Sequence, residues 1–190
     1  MKQIQPILMC ALLIVAMPVF AQTNILVTNP AADQVLRGQY NPADYAATRV
    51  VNHPDSISLG LLREVSPDSL HRYVETLVGF GTRNTGSDTL SANRGIGAAR
   101  RWVFSRFAEF SARNDNRLLP AYLQFDRDIC DVGQHRNVFA VLPGTSSSDN
   151  SVIIVEAHMD SRCENDCDTA CPAPGAEDNA AGTALVIELA

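Results

Sequence analysis

Six consecutive residues, Val152-Ile153-Ile154-Val155-Glu156-Ala157, constrain the fold more than anything else in this chain. A run this apolar and β-branched, without polar alternation, is the pattern of a strand buried on both faces. Such a strand needs one layer above it and another below. Amphipathic helical stretches supply candidates for both. Ser66-Pro67-Asp68 reads as a helix start, with an N-cap, a proline at the first helical position and an acid beside the positive helix end. That helix is expected to run to about Val78, with Leu70, Tyr73, Val74 and Leu77 on one face. A longer helix is expected from about Leu90 to Ala112, where Ile96, Ala99, Val103, Phe107 and Phe110 recur at helical spacing. Ala121–Phe125 and Asn137–Leu142 read as further strands, and a last helix begins at Asn179. The expected fold is therefore α/β, a mixed, largely parallel sheet flanked by helices on both faces.

The ends of the chain read differently. Met1–Ala21 has one positive charge, an apolar run centred on Ile7–Val15, then Pro18 and a Val-Phe-Ala ending, the parts of a secretory signal peptide. Export to a secreted or periplasmic location is expected, with no stable membrane span after cleavage. Residues 22–65, rich in Asn, Pro, Asp and Ala without clear periodicity, read as an N-terminal extension, and residues 66–190 as the first part of a domain. The final helix reaches Ala190 without a cap or terminator, so an incomplete C-terminus is expected. Four cysteines remain beyond the signal: Cys130, Cys163, Cys167 and Cys171. An even number in an exported protein favours disulfides, with three connectivities open. The Cys163-x3-Cys167-x3-Cys171 spacing also invites a metal-cluster reading, although such clusters mostly use C-x2-C steps.

Charge narrows the function classes. Residues 22–150 hold 13 acids and 13 arginines and so balance, whereas residues 151–190 hold eight acids against one base, Arg162. A chain with no basic stripe is a poor nucleic-acid binder. The single lysine is Lys2, which excludes a P-loop, a Schiff base or a Ser–Lys dyad from everything downstream. The acids gather around His158, which directly follows the apolar run at what would be a strand's carboxyl end, where open α/β sheets bind ligands. Asp160, two residues on, is placed to accept the other ring N–H and fix the tautomer. Asp178 precedes the last helix, between Gly175 and Gly182, which permit tight backbone turns. Singly, each residue has a bland reading as a structural histidine or an N-cap. Together, an anionic surround about one imidazole suits a divalent cation.

The stretch His158-Met159-Asp160-Ser161, followed by Pro174-Gly175-Ala176-Glu177-Asp178-Asn179 and then Gly182-Thr183, resembles the co-catalytic dizinc exopeptidases. That family includes secreted bacterial leucyl aminopeptidases and glutamate carboxypeptidase II, with the transferrin receptor as a non-enzymatic relative. Arg83-Asn84-Thr85-Gly86, Arg100-Arg101-Trp102 and Arg136-Asn137-Val138 are similar to family segments more mildly. The resemblance implies two Zn2+ ions in a complete enzyme, with His158 ligating one, Asp178 bridging both and Asp160 orienting His158 as part of the catalytic apparatus. It implies a peptide substrate and hydrolysis by an activated water. It also implies a Glu-Glu pair carrying the general base, with further ligands beyond residue 190. Glu177 and Glu188 stand out of place for that base, so the residues present are expected to be inactive alone. Two alternatives remain. One is a receptor-like binding module on the same fold. The other is a single-zinc acyltransferase like glutaminyl cyclase, in which Asp-Ser would be expected where Asp178-Asn179 stands. His53, His71 and His135 fall outside any ligand pattern and read as surface or packing residues.

Overall fold

Four times among the described residues an Asn, His or Ser stands directly before a proline, and each time a helical segment begins. Asn29-Pro30 opens α1 (Pro30–Leu36), Asn41-Pro42 a short 3-10 turn (Pro42–Tyr45), His53-Pro54 α2 (Pro54–Glu64) and Ser66-Pro67 α3 (Pro67–Gly79). In each case the cap side chain accepts a backbone N–H: Asn29 from Ala31, Asn41 from Ala43, His53 from Asp55 and Ser66 from Ser69. Proline costs nothing there, because the first-turn N–H groups have no helical partner. These elements come from a computed structural model that describes residues 22–190 apart from Ser147 and Asn150. The signal peptide read at Met1–Ala21 lies outside the described residues.

Helix α3 lies where its cap and apolar spacing place it. Helix α4 (Gly95–Arg113) begins at Gly95 rather than Leu90. Asp88 turns the chain first, its Oδ1 accepting the N–H groups of Leu90 and Ser91 at 2.8 Å each. Gly95 then takes φ +77°, in a place where a Cβ would stand 2.4 Å from the Asp88 carbonyl oxygen.

The sheet corrects the expected topology. Strands β1 (Thr23–Val27), β2 (Leu119–Ile129) and β3 (Val132–Val141) lie in the order β1-β2-β3, and both pairs are antiparallel. The last two strands run past their expected ends at Phe125 and Asn137 and meet in a two-residue turn at Cys130 and Asp131. Both turn residues take the left-handed conformation, with φ 53° and 63°, as tight hairpin turns require. Strands joined so closely pair antiparallel, because a parallel pair needs a long crossover. Residues 22–65 contribute β1, α1 and α2 despite their lack of periodicity.

The second correction concerns Val152–Ala157. The segment forms no strand; Ile153 is 91% exposed, and Val152, Ile154 and Val155 are also exposed. A run apolar on both faces becomes an ordered inner strand only when sheet neighbours and helices cover it. Among the described residues none pairs with it in a ladder.

The core lies to one side of β3. Leu77 of α3, Ala99, Val103 and Phe107 of α4, Ala180 in the turn before α5 (Gly182–Glu188) and Ile187 of α5 are buried together, with Val138, Ala140 and Met159 packed against them. Met159 and Ala180 thus anchor the two stretches that carry His158 and Asp178.

Candidate metal centre

His158 is held from behind and open in front. Its backbone oxygen accepts from the Thr183 hydroxyl at 3.1 Å, and the neighbouring Met159 packs into the core. Asp178 sits in a kinked turn, Ala176–Ala181, whose Asp178–Asn179 peptide is cis. The flanking glycines are required by close approach. At Gly175, with φ +48°, a Cβ would lie 2.6 Å from both the Asp178 carbonyl oxygen and the Ser161 Cβ. At Gly182 it would lie 2.4 Å from Asn179 Oδ1, the atom that accepts the Gly182 N–H at 2.9 Å.

These constraints bring together the three residues singled out from the sequence. His158 Nε2 stands 3.0 Å from Asp178 Oδ1, and Nδ1 stands 3.2 Å from Asp160 Oδ1. With Nδ1 protonated, the ring donates to Asp160 and turns the Nε2 lone pair toward Asp178. His158, Asp160, Ser161, Arg162 and Asp178 line an open cleft of about 300 Å³. The one cation on its rim is engaged, since Arg162 pairs with Asp166 at 2.8 Å.

The other candidates separate cleanly from the cleft. Cys130 pairs with Cys167 and Cys163 with Cys171, so all four thiols among the described residues are consumed as disulfides. The first bond ties the tip of the β2–β3 hairpin to the loop between His158 and Asp178. His135 is buried in the hairpin, with Nε2 2.9 Å from the carbonyl oxygens of both Arg127 and Val132. His53 caps α2, and exposed His71 lies 3.6 Å from Glu75. Glu188 Oε1 accepts the Ser66 N–H at 2.6 Å at the start of α3.

One participant carried no sequence signal for its role. Arg83, in the loop after α3, is completely buried beneath the cleft, and its guanidinium donates to four backbone carbonyls. Burial pushes its pKa down, opposed by the negative charge of Asp160.

Residues 137–190, which include all three cleft residues, match the family described as Peptidase family M28. This stretch is similar to part of an M28 domain. M28 is the co-catalytic zinc aminopeptidase and carboxypeptidase family, the one that the paired motifs resemble. Similarity to individual proteins extends beyond the M28 segment. A protein of Pyricularia oryzae named "Probable zinc metalloprotease" is 38% identical over 141 residues, which cover 72% of this chain and 28% of that protein. One of the same name from Pyrenophora teres f. teres is 31% identical over 153 residues, covering 78% of this chain and 32% of its own length. The chain thus spans about a third of the length of the curated relatives it matches. No solved structure matches it.

The cleft residues fit zinc chemically. Zinc takes nitrogen and oxygen donors at about 2.0–2.1 Å in a tetrahedron, which sets neighbouring donors about 3.3 Å apart. His158 Nε2 and Asp178 Oδ1, at 3.0 Å, are close to that spacing, and Asp160 on Nδ1 is the orienting partner that ligating histidines usually have. Among the described residues no group of three or more His, Cys, Asp or Glu side chains gathers to hold a metal ion. The M28 segment therefore offers two donors facing one point.

Proposed function

We propose that this chain supplies the first ligands of a zinc-dependent exopeptidase, an aminopeptidase that removes N-terminal residues from peptides. The carrying observation is His158 fixed between two carboxylates, with Nε2 3.0 Å from Asp178 Oδ1 and Nδ1 backed by Asp160. The relatives' zinc metalloprotease names and the match to M28 support the reading. His158 and Asp178 would hold zinc, with two ions in the complete enzyme, and Asp160 would keep the imidazole in its ligating tautomer. When bound, zinc supplies an activated water and a Lewis acid for the scissile carbonyl. The protein is exported by Met1–Ala21.

Zinc titration of the chain tests this, read from the ring 15N shifts of His158. Zinc is expected to shift Nε2, with the response weakened at least tenfold in Asp178→Asn. The chain by itself is expected to release no N-terminal residue from a peptide. Zinc-dependent turnover by residues 1–190, or a His158 ring indifferent to zinc, overturns the reading.

A further inference from the structure

The geometry points to Arg83 as a positioning residue that sets the distance between His158 and Asp178. This inference rests on the zinc-site reading above. The two side chains are separated by a loop pinned through disulfides at Cys163, Cys167 and Cys171, yet the backbone beside each of them converges on one guanidinium. Nε of Arg83 donates to the Met159 carbonyl, next to His158, at 2.8 Å. Nη1 donates to Pro174 at 2.6 Å and Nη2 to Gly175 at 3.0 Å, on the approach to Asp178. Nη1 also donates to Leu77 in the last turn of α3 at 2.8 Å, which fastens the whole assembly to a helix.

The planar fork of an arginine makes this a ruler rather than glue. Its N–H directions are fixed relative to one another, so the carbonyls it binds are fixed too. The surroundings are built to the same tolerance. A Cβ on Gly175 would stand 3.2 Å from Arg83 Nη2. The Arg83 N–H donates to the Ser161 hydroxyl at 3.0 Å, the Ser161 N–H donates back to the Arg83 carbonyl at 3.3 Å, and the same hydroxyl donates to the Ala173 carbonyl. Ser161, 3% exposed, thereby closes a second bridge between the His158 segment and the Asp178 segment. Neither Arg83 nor Ser161 offers a zinc ligand; both act through the backbone that carries the ligands.

The test compares three variants of the full chain. Arg83→Lys keeps a positive charge but loses the planar fork, Ser161→Ala removes the second bridge, and Ala32→Gly loosens buried α1, which packs on the sheet away from the cleft. The zinc dissociation constant is measured by titration with zinc alone and set beside each variant's thermal midpoint. Arg83→Lys is expected to weaken zinc binding at least tenfold and Ser161→Ala about threefold, while Ala32→Gly leaves it unchanged at a comparable loss of thermal midpoint. Should Arg83→Lys bind zinc like the parent, or should all three variants lose affinity in proportion to stability, Arg83 is a structural residue only. The metal-free protein provides a separate readout. Ring resonances of His158 are expected to report one tautomer in the parent and an averaged ring in Arg83→Lys, and unchanged resonances overturn the positioning role. A parent chain indifferent to zinc refutes the zinc-site reading instead, and the metal-free resonances still decide the role of Arg83.

Discussion

Arg100 shows how much an unpartnered charge inside a helix interface costs. It lies on the buried side of α4, 9% exposed, with its Nε enclosed and accepted by no oxygen. Burial, together with the like charge of Arg136, pushes its pKa down to about 10, against weaker opposing pulls from Tyr122 and Asp160. A base whose folded pKa is lowered binds fewer protons in the native state from about pH 10 up to its unfolded value, so stability rises with pH across that window. At neutral pH the guanidinium is charged in both states and the full desolvation penalty stands. Arg100→Met is therefore expected to stabilise the chain by about 1 kcal/mol in urea unfolding at pH 7. A loss of stability would mean that the guanidinium has an acceptor. At this scale the sequence was most informative about residues whose partners are side chains. His158, Asp160 and Asp178 were legible because a short motif states their mutual spacing. Arg83 was not, because its partners are backbone carbonyls of Leu77, Met159, Pro174 and Gly175, which any residue type can present.

Among the elements, capping explains both what was readable and what was hidden. The start of α3 was legible from Ser66-Pro67 because a clear apolar face follows it. The same cap-proline signature at Asn29, Asn41 and His53 went unread because the segments it opens are short or poorly patterned. The start of α4 was misplaced for the opposite reason. The apolar spacing continues upstream through residues that Asp88 diverts into a turn, and a side chain accepting two backbone N–H groups outweighs helix propensity there. Those two bonds, from Ser91 and then Leu90, hold the Asp88 carboxyl below the usual carboxylate range. A carboxyl with a lowered folded pKa contributes stability that is fully present above its unfolded value, and that contribution fades as the pH falls through the folded value. Asp88→Ala is accordingly expected to lower the urea midpoint at pH 7. The gap from the parent should narrow steadily below about pH 4, the unfolded aspartate range. A gap independent of pH would show that the turn is held by something other than the ionised carboxylate.

For the whole molecule, the question is whether a chain with so apolar a segment remains a single species. Strand β1 pairs with β2, α1 and α4 pack on β2 and β3, and the Cys130–Cys167 bond ties the hairpin tip to the cleft loop across 37 residues of sequence. Among the described residues nothing comparable covers Val152–Val155. Composition marked this run as an inner strand, and the run forms none. Burial depends on what surrounds a strand, which a strand's own residues do not encode. The net charge of −6 opposes association of one chain with another. The four residues themselves are uncharged, however, and combine high β-propensity with exposed side chains, the combination that recruits a second strand. The chain is therefore expected to self-associate in a concentration-dependent way, seen as a rising weight-average mass in sedimentation equilibrium. Association should be stronger at high salt, where the repulsion is screened. Ile153→Lys places a like-signed charge on each copy at the most exposed of these positions, 91% accessible. It is expected to shift association to at least tenfold higher concentration while leaving the thermal midpoint within about 1 °C, since exposed substitutions away from packed features change stability little. Equal association by parent and variant would place the contact elsewhere on the surface. A large fall in the thermal midpoint would show that Ile153 is covered in solution.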